Sequence, residues 1–510
     1  MRNEKKTLTL QQNFIKSNIL KTIIRIILLL FLVQGLSAQS PKHEIRAVWL
    51  TTIKGLDWPH SYSATRQKQE LVSILDKLQS ANINTILIQT RVRATTIFPS
   101  DEEPWDLCLT GQTGKSPGYD ALHFCIDECH KRGIECHAWI VTIPVGKWNS
   151  DGCKLIRKRY PQLIVKVGDE GYMNPENSQT GDYLARFCRE VTRRYDIDGI
   201  HLDYIRYPET WKLKVGREQG RRNITDIVRK IHSAVKAEKP WVKMSCSPIG
   251  KYDDLTRYRS GGWNANTAVC QDAQGWMRDG LMDALYPMMY FQGNNFYPFA
   301  VDWKEHSYGR QVAGGLAVYM LHPQERNWNL DIVSREMNVL RELEMGITFF
   351  RSKFLTDNIK GVFTFTQDFN RVPALVPPMV NTGKRAPSPI TTLDVRRSMS
   401  ADILTWRGAR DNSGADYLVY QVYASDTWPV DTEDSRNLIA TRLRSQSLTV
   451  PHHGRQLYYA VTASDRYGQE SKPTMSDSGA RKMQKRLDFR ELIMGNTSKS
   501  TKRQIFERKK

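Results

Sequence analysis

Residues 198–208 read DGIHLDYIRYP. Ile200, Leu202 and Tyr204 alternate with His201 and Asp203, the two-residue period of a β-strand. The first set is apolar, whereas the second carries an imidazole and a carboxylate. In a parallel barrel the outer face of each strand packs on helices and the inner face points to the axis. The apolar set is therefore expected against helices, with His201 and Asp203 inside. Asp203 stands in the C-terminal half of the strand, near the barrel mouth, where a carboxylate is costly to hold unless paired or put to use. An ion pair with Arg206 or Arg91 is the structural alternative to a functional role.

Seven further segments extend this pattern. RAVWLTT (46–52), NTILIQTR (84–91) and ECHAWIV (135–141) precede the quoted strand. VKMSCSPIG (242–250), DALYPMMYF (283–291), QVAGGLAVYM (311–320) and GITFFRSKFL (346–355) follow it. Between them lie amphipathic stretches such as RQKQELVSILDKLQSA (66–81), where Leu71, Ile74, Leu75 and Leu78 recur at helical spacing. Residues 119–133, 181–195 and 223–237 repeat that pattern. Eight strands alternating with helices over about 330 residues predict an α/β fold, a (β/α)8 TIM barrel. An open doubly wound sheet would favour a glycine-rich phosphate loop after its first strand, and WLTTIKGLDWP is not one. The long connections 92–117 and 250–271 are expected at the C-terminal face, where barrel enzymes build their sites.

The alternation ends at VPALVPPMV (372–380) and the linker NTGKRAPSP. Beyond it, ADILTWRG (401–408), DYLVYQVYAS (416–425), LTVP (448–451) and QLYYAVTASDRYGQES (456–471) read as strands alone. They predict an all-β sandwich around Trp406, and residues 386–476 resemble a fibronectin type III module. The expected plan is a signal segment (1–38), a barrel (44–380), a sandwich (386–476) and a basic tail without a fold (480–510).

The formal charge is +20, but residues 1–38 hold +5 of it and residues 481–510 hold +8. A mildly basic body with two basic ends fits a targeting segment and a solvated tail, so no nucleic-acid partner is expected. Lys16, Lys21 and Arg25 precede the apolar run IILLLFLV (26–33), with Gly35, Ser37 and Ala38 behind it. That is the pattern of a secretory signal cleaved near Ala38, too short to span a bilayer comfortably. The expected product is exported, periplasmic or secreted, with no stable membrane span. The eight cysteines contain no CxxC pair, which argues against both a dense disulfide framework and a structural zinc site. Cys125 and Cys129 share a helix face.

For chemistry, Asp203, His137 and His201 are the catalytic candidates, the last two weighed against satisfied core histidines. Glu135, His137 and Trp139 share a face of the third strand, beside the fourth. Asp57, Trp58, Arg91, Trp105, Arg206, Tyr207, Tyr286 and Tyr290 are the substrate-binding candidates. Trp148, Trp263 and Trp328 add to an aromatic crowd in the loops after strands, and flat rings suit sugar faces. Glycoside hydrolysis commonly needs two carboxylates. The partner of Asp203 stays open among Asp57, Asp101, Asp272, Asp283 and Glu325. No GxSxG, HExxH or GxxxxGK[ST] motif occurs. A divalent-metal hydrolase would need more clustered ligands than His137, His201 and Asp203 supply, so neither metal nor cofactor is expected.

With these segments in place, the chain resembles the glycosyl-hydrolase-like family 10. The resemblance is carried by EIRAVWLTT with GLDWP, NTILIQTRVRATTIFPS, EPWDLCLTGQTGKSPGYDAL, GIECHAWI, YDIDGIHLDYIRYP, SCSPIG and DALYPMMYF, together with GGLAVYM and ALVPPM. It implies a barrel followed by a fibronectin-like module, and glycoside hydrolysis in the cell envelope. At least one relative acts on peptidoglycan strands stripped of peptides. The resemblance places Asp203 at the centre and implies a polysaccharide substrate and cell-wall or division-protein partners. Two features depart from the family: the lipid-accepting cysteine of many relatives is missing, and PMMY (287–290) stands where relatives often read PQxY. A hydrolase of environmental or host polysaccharide, and a glycan-binding barrel without catalysis, are the alternatives.

Overall fold

A computed structural model describes residues 40–258, 263–451 and 456–477. The expected signal segment (1–38) and basic tail (480–510) lie outside the described residues. Eight parallel strands close into a barrel: β1 (Arg46–Leu50), β2 (Thr85–Arg91), β3 (Glu135–Val141), β4 (Gly199–Asp203), β5 (Lys243–Cys246), β6 (Ala284–Leu285), β7 (Gln311–Leu316) and β8 (Gly346–Phe349). Each pairs with its sequence neighbour, and β8 pairs with β1. All eight predicted strands are present, and the (β/α)8 architecture holds.

Two apolar cores follow from the alternation. Outward residues such as Ile86, Ile88, Ile200 and Leu202 pack under the helix ring with Leu71, Leu75 and Leu78 of helix Ala64–Ser80. Inward residues Trp49, Leu87, Trp139, Val141 and Tyr286 fill the barrel itself. The register stacks the inward side chains in layers. His137 pairs with Gly199 and Gly199 with Lys243 at the floor; Trp139 pairs with His201 and His201 with Ser245 in the middle; Val141 pairs with Asp203 at the top.

Strand β4 stops at Asp203. Tyr204 takes φ +53°, a left-handed conformation uncommon for a residue with a side chain, and so leaves the pleat. Its ring is 36% exposed at the rim rather than packed with Ile200 and Leu202 against the helices, as strict alternation predicted. One excursion from the barrel carries little signal in the sequence. After β3, short strands Pro144–Lys147, Ile164–Val167 and Glu170–Met173 form an antiparallel sheet around helix Asp151–Arg159. Four-residue strands rich in Gly, Lys and Glu carry too little periodicity to be seen.

Beyond the barrel, Thr392–Arg397, Ala401–Arg407 and Ser447–Pro451 form one antiparallel sheet. Leu438–Leu443, Val419–Ser425, Tyr458–Ser464 and Thr474–Met475 form the other. Trp406 is buried between them, edge-on to Tyr420 at 5.6 Å. The edge strand Leu438–Leu443 docks at the barrel floor. A Cβ on Gly133 would lie 2.5 Å from the Thr441 carbonyl, so the approach of this strand requires glycine there. Arg442 then bonds Glu135 (3.0 Å) and Asp198 (2.6 Å), and Arg466 reaches Asp198 at 3.3 Å.

Candidate active site

Asp203 ends β4 at the top of the barrel and is 7% exposed. Its Oδ1 accepts from Ser247 Oγ (2.9 Å) and the Tyr204 N–H (2.8 Å), and its Oδ2 accepts from Trp139 Nε1 (3.1 Å). Its carbonyl accepts from both the N–H (2.9 Å) and the hydroxyl (2.8 Å) of Thr142. Burial pushes the carboxyl above the usual carboxylate range. The Ser247 hydroxyl, the Arg206 guanidinium and the Trp139 and Tyr204 N–H groups oppose that shift without cancelling it. The result is a fixed carboxyl biased towards its protonated form, as a proton donor requires.

Aromatic groups line the approach. Half-buried Tyr290 packs on Phe350 (5.3 Å) and Tyr319 (5.8 Å), and burial holds its hydroxyl protonated, aided by Tyr319 and Asp203. On the rim, the Arg206 guanidinium lies 4.5 Å from the Tyr204 ring and 5.0 Å from the Trp263 ring, which is 38% exposed. Arg206 also donates to Glu209 Oε1 (2.9 Å), and its Nε has no partner among the described residues. Asp203, Tyr204, Arg206 and Trp263 thus form one strip from the barrel interior to solvent. Tyr286 sits deeper, edge-on to His201 (5.2 Å) and Trp49 (6.3 Å), and supports the mouth from below.

Several predicted site residues are placed elsewhere. His201 is fully buried one layer below Asp203. Its Nε2 accepts from Trp49 Nε1 (3.2 Å), so Nδ1 carries the hydrogen and donates to Ser245 Oγ (3.0 Å). Burial and the nearby His137 hold its pKa well below the imidazole range, which leaves a neutral packing group. His137 lies at the opposite end of the barrel, with Nε2 3.1 Å from Glu135 Oε2. Burial works against ionisation of Glu135, yet Lys243 (2.6 Å) and Arg442 (3.0 Å) hold it as a carboxylate. Neither histidine reaches the mouth.

Arg91 is buried outside the barrel and paired with Glu103 at 2.7–2.9 Å, so it is no sugar contact. It does hold the carbonyls of Val141 and Thr142, and through Thr142 it positions the backbone of Asp203. Trp58 is buried and donates to the Gln67 carbonyl, Tyr207 is buried against Trp211 with its hydroxyl on Asn223, and Trp105 packs half-buried on the outer core. These three are packing residues, the ordinary fate of a large ring in a long loop.

The proposed partners of Asp203 are also engaged away from it. Asp57 accepts from Thr51 (2.6 and 2.9 Å) and pairs with Arg351. Asp272 caps helix Ala273–Arg278, Asp283 bonds Lys236 and the Met244 N–H, and Asp101 and Glu325 are exposed. An acid not singled out in the sequence, Glu176, stands beside Tyr207 with its Oε1 buried and unpartnered among the described residues. Ser247 and Thr142 were also missed. Ser247 was legible in principle, because it continues the inward alternation of Lys243 and Ser245.

A model of the family described as glycosyl hydrolase-like 10 matches residues 44–219 and 210–316. Glycosyl hydrolase YngK of Bacillus subtilis (strain 168) is 28% identical over 481 residues, 86% of this chain and 93% of its own. Glycosyl hydrolase DigH of Escherichia coli (strain K12) is 29% identical over 295 residues, 50% of this chain and 67% of its own. Among solved structures, the PgaB (BpsB) glycoside hydrolase domain from Bordetella bronchiseptica superposes with TM-score 0.45 at 10% identity, covering 64% of this chain and 98% of that one. The chain belongs to the glycosyl hydrolase-like 10 family and is a glycoside hydrolase.

Proposed function

We propose that the protein is exported and cleaves glycan strands of the cell envelope, peptide-free peptidoglycan in the first instance, with Asp203 as general acid. The observation that carries this reading is the Asp203 carboxyl itself: fixed by three donors at the barrel mouth, with its pKa raised by burial. Asp203 would donate its proton to the glycosidic oxygen as the bond to the anomeric carbon breaks. Peptidoglycan sugars carry 2-acetamido groups, and such a carbonyl can attack the anomeric carbon from within the substrate. One protonated carboxyl then suffices, in keeping with the engagement of Asp57, Asp272 and Asp283 elsewhere. Tyr204, Trp263 and Tyr290 would hold successive rings, and removal of the peptides would let the strand lie along them. The apolar run 26–33 behind Lys16, Lys21 and Arg25 supports export, and the sandwich is read as a fibronectin type III-like module.

A panel of substrates tests this: peptide-free glycan strands, intact sacculi, chitin oligomers and glycans without acetamido groups. Soluble fragments from the first and none from the last are expected. Equal cleavage of glycans lacking acetamido groups would contradict both the substrate class and the internal nucleophile.

A further inference from the structure

Three cysteines on a helix and the strand that follows it meet in space. Cys125 and Cys129 lie one turn apart on helix Ala121–Lys131, and Cys136 points outward from β3 beneath them. The Cys125 sulfur is 4.0 Å from that of Cys129 and 4.0 Å from that of Cys136, and all three lie within 4.8 Å of one another. All are buried, and none forms a disulfide.

We propose that Cys125, Cys129 and Cys136 form a closed trigonal thiolate site for a soft monovalent metal ion, copper(I). An ion equidistant from three sulfurs, with two sides of 4.0 Å and the third no longer than 4.8 Å, lies about 2.3–2.5 Å from each, close to the length of a metal–thiolate bond. No fourth donor joins the cluster among the described residues. That disfavours zinc, whose structural sites are four-coordinate, and favours copper(I), which thiolates select. The nearest candidate for a fourth ligand is occupied: His130 has Nε2 on Asp198 (2.8 Å) and Nδ1 facing Arg444 (3.2 Å).

An ion-pair cluster adjoins the three cysteines. The Cys136 N–H bonds Asp198, which joins this cluster of Arg442, Arg466, Arg444 and Lys243 against Asp196, Asp198 and Glu135. On binding, copper–sulfur bonds form, the thiol protons leave to solvent, and no electron is transferred. Because the site is closed, the ion enters as the chain folds.

The test is to refold the full chain without oxygen in copper(I) buffered by bathocuproine disulfonate. One copper per chain is expected, with X-ray absorption giving three sulfur neighbours at about 2.3 Å. Cys125→Ser and Cys136→Ser should each weaken retention by more than about 100-fold, beyond the loss of an outer-shell partner. Cys153→Ser, in the remote helix Asp151–Arg159, should not. The absorption measurement on the unaltered chain stands even if a serine variant fails to fold. Failure to hold copper against the chelator, fewer than three sulfur neighbours, zinc retained in its place, or a disulfide among the three would each overturn the proposal.

Discussion

Arg442, from the edge strand of the sandwich, places its guanidinium 3.0 Å from Glu135 at the floor of the barrel. The same side chain bonds Asp198 at 2.6 Å, so one residue of the second module bridges two buried carboxylates of the first, which Lys243 and Arg466 also hold. Removing one partner of a buried pair costs about 3–5 kcal/mol where the other charge is left alone, and less here because Lys243 and Arg466 remain. Arg442→Ala should therefore lower the urea midpoint of the whole described fold, with barrel and sandwich unfolding together. A change under about 0.5 kcal/mol, the range of ordinary surface substitutions, would show that the floor does not depend on this contact.

Glu336, on helix Leu330–Glu342, is fully buried, and neither carboxylate oxygen has a partner among the described residues. Burial lifts its pKa from 4.5 to about 9. The folded state binds the proton more tightly than the unfolded chain, so stability is greatest below pH 4.5 and falls as pH rises to about 9. Glu336→Met should remove that loss and raise stability at pH 8 by roughly 2–4 kcal/mol. Parallel stability–pH curves for the two proteins between pH 5 and 9 would count against it.

The Ser247 hydroxyl favours the ionised form of Asp203, and its loss should raise the Asp203 pKa further. A general acid works while protonated, so activity is lost as pH rises through its pKa. In Ser247→Ala the basic limb of kcat/KM should move up by roughly one pH unit, since a hydrogen bond to a charged group is worth about 1.5–3 kcal/mol. A shift downwards would contradict the assignment of Asp203 as acid.

Trp263, stacked on Arg206 at the rim, is 38% exposed and forms part of no buried core. Trp263→Ala should raise KM for long glycans by roughly 3–10-fold, the worth of one aromatic contact, with kcat little changed. An unchanged KM across chain lengths would remove Trp263 from the binding strip.

The barrel was legible because each strand alternates cleanly and each intervening helix carries its own apolar stripe. Asp203 was legible for the same reason, as a carboxylate on the inward face near a strand's end. The rest of the site depends on depth along the barrel axis, which alternation does not report. His137, His201 and Asp203 are all inward, yet the register sets them in three different layers. Arg91 and Trp58 carry the residue types of a sugar site, but Glu103 and the Gln67 carbonyl already satisfy their polar atoms. The meeting of Cys136 with Cys125 and Cys129 is a contact between β3 and the helix preceding it, set by the packing of the helix on the barrel.

The central claim rests on one carboxyl, and its most direct test is Asp203→Asn. The amide keeps the size of the side chain but turns its NH2 towards either the Trp139 Nε1–H or the Tyr204 N–H, so the variant should fold with a melting temperature at most a few degrees below the parent's and still bind peptide-free glycan strands. Release of soluble fragments from those strands, followed by chromatography, should fall by roughly 100-fold or more, as expected for loss of a general acid. A folded variant that releases fragments at the parent's rate would contradict the account.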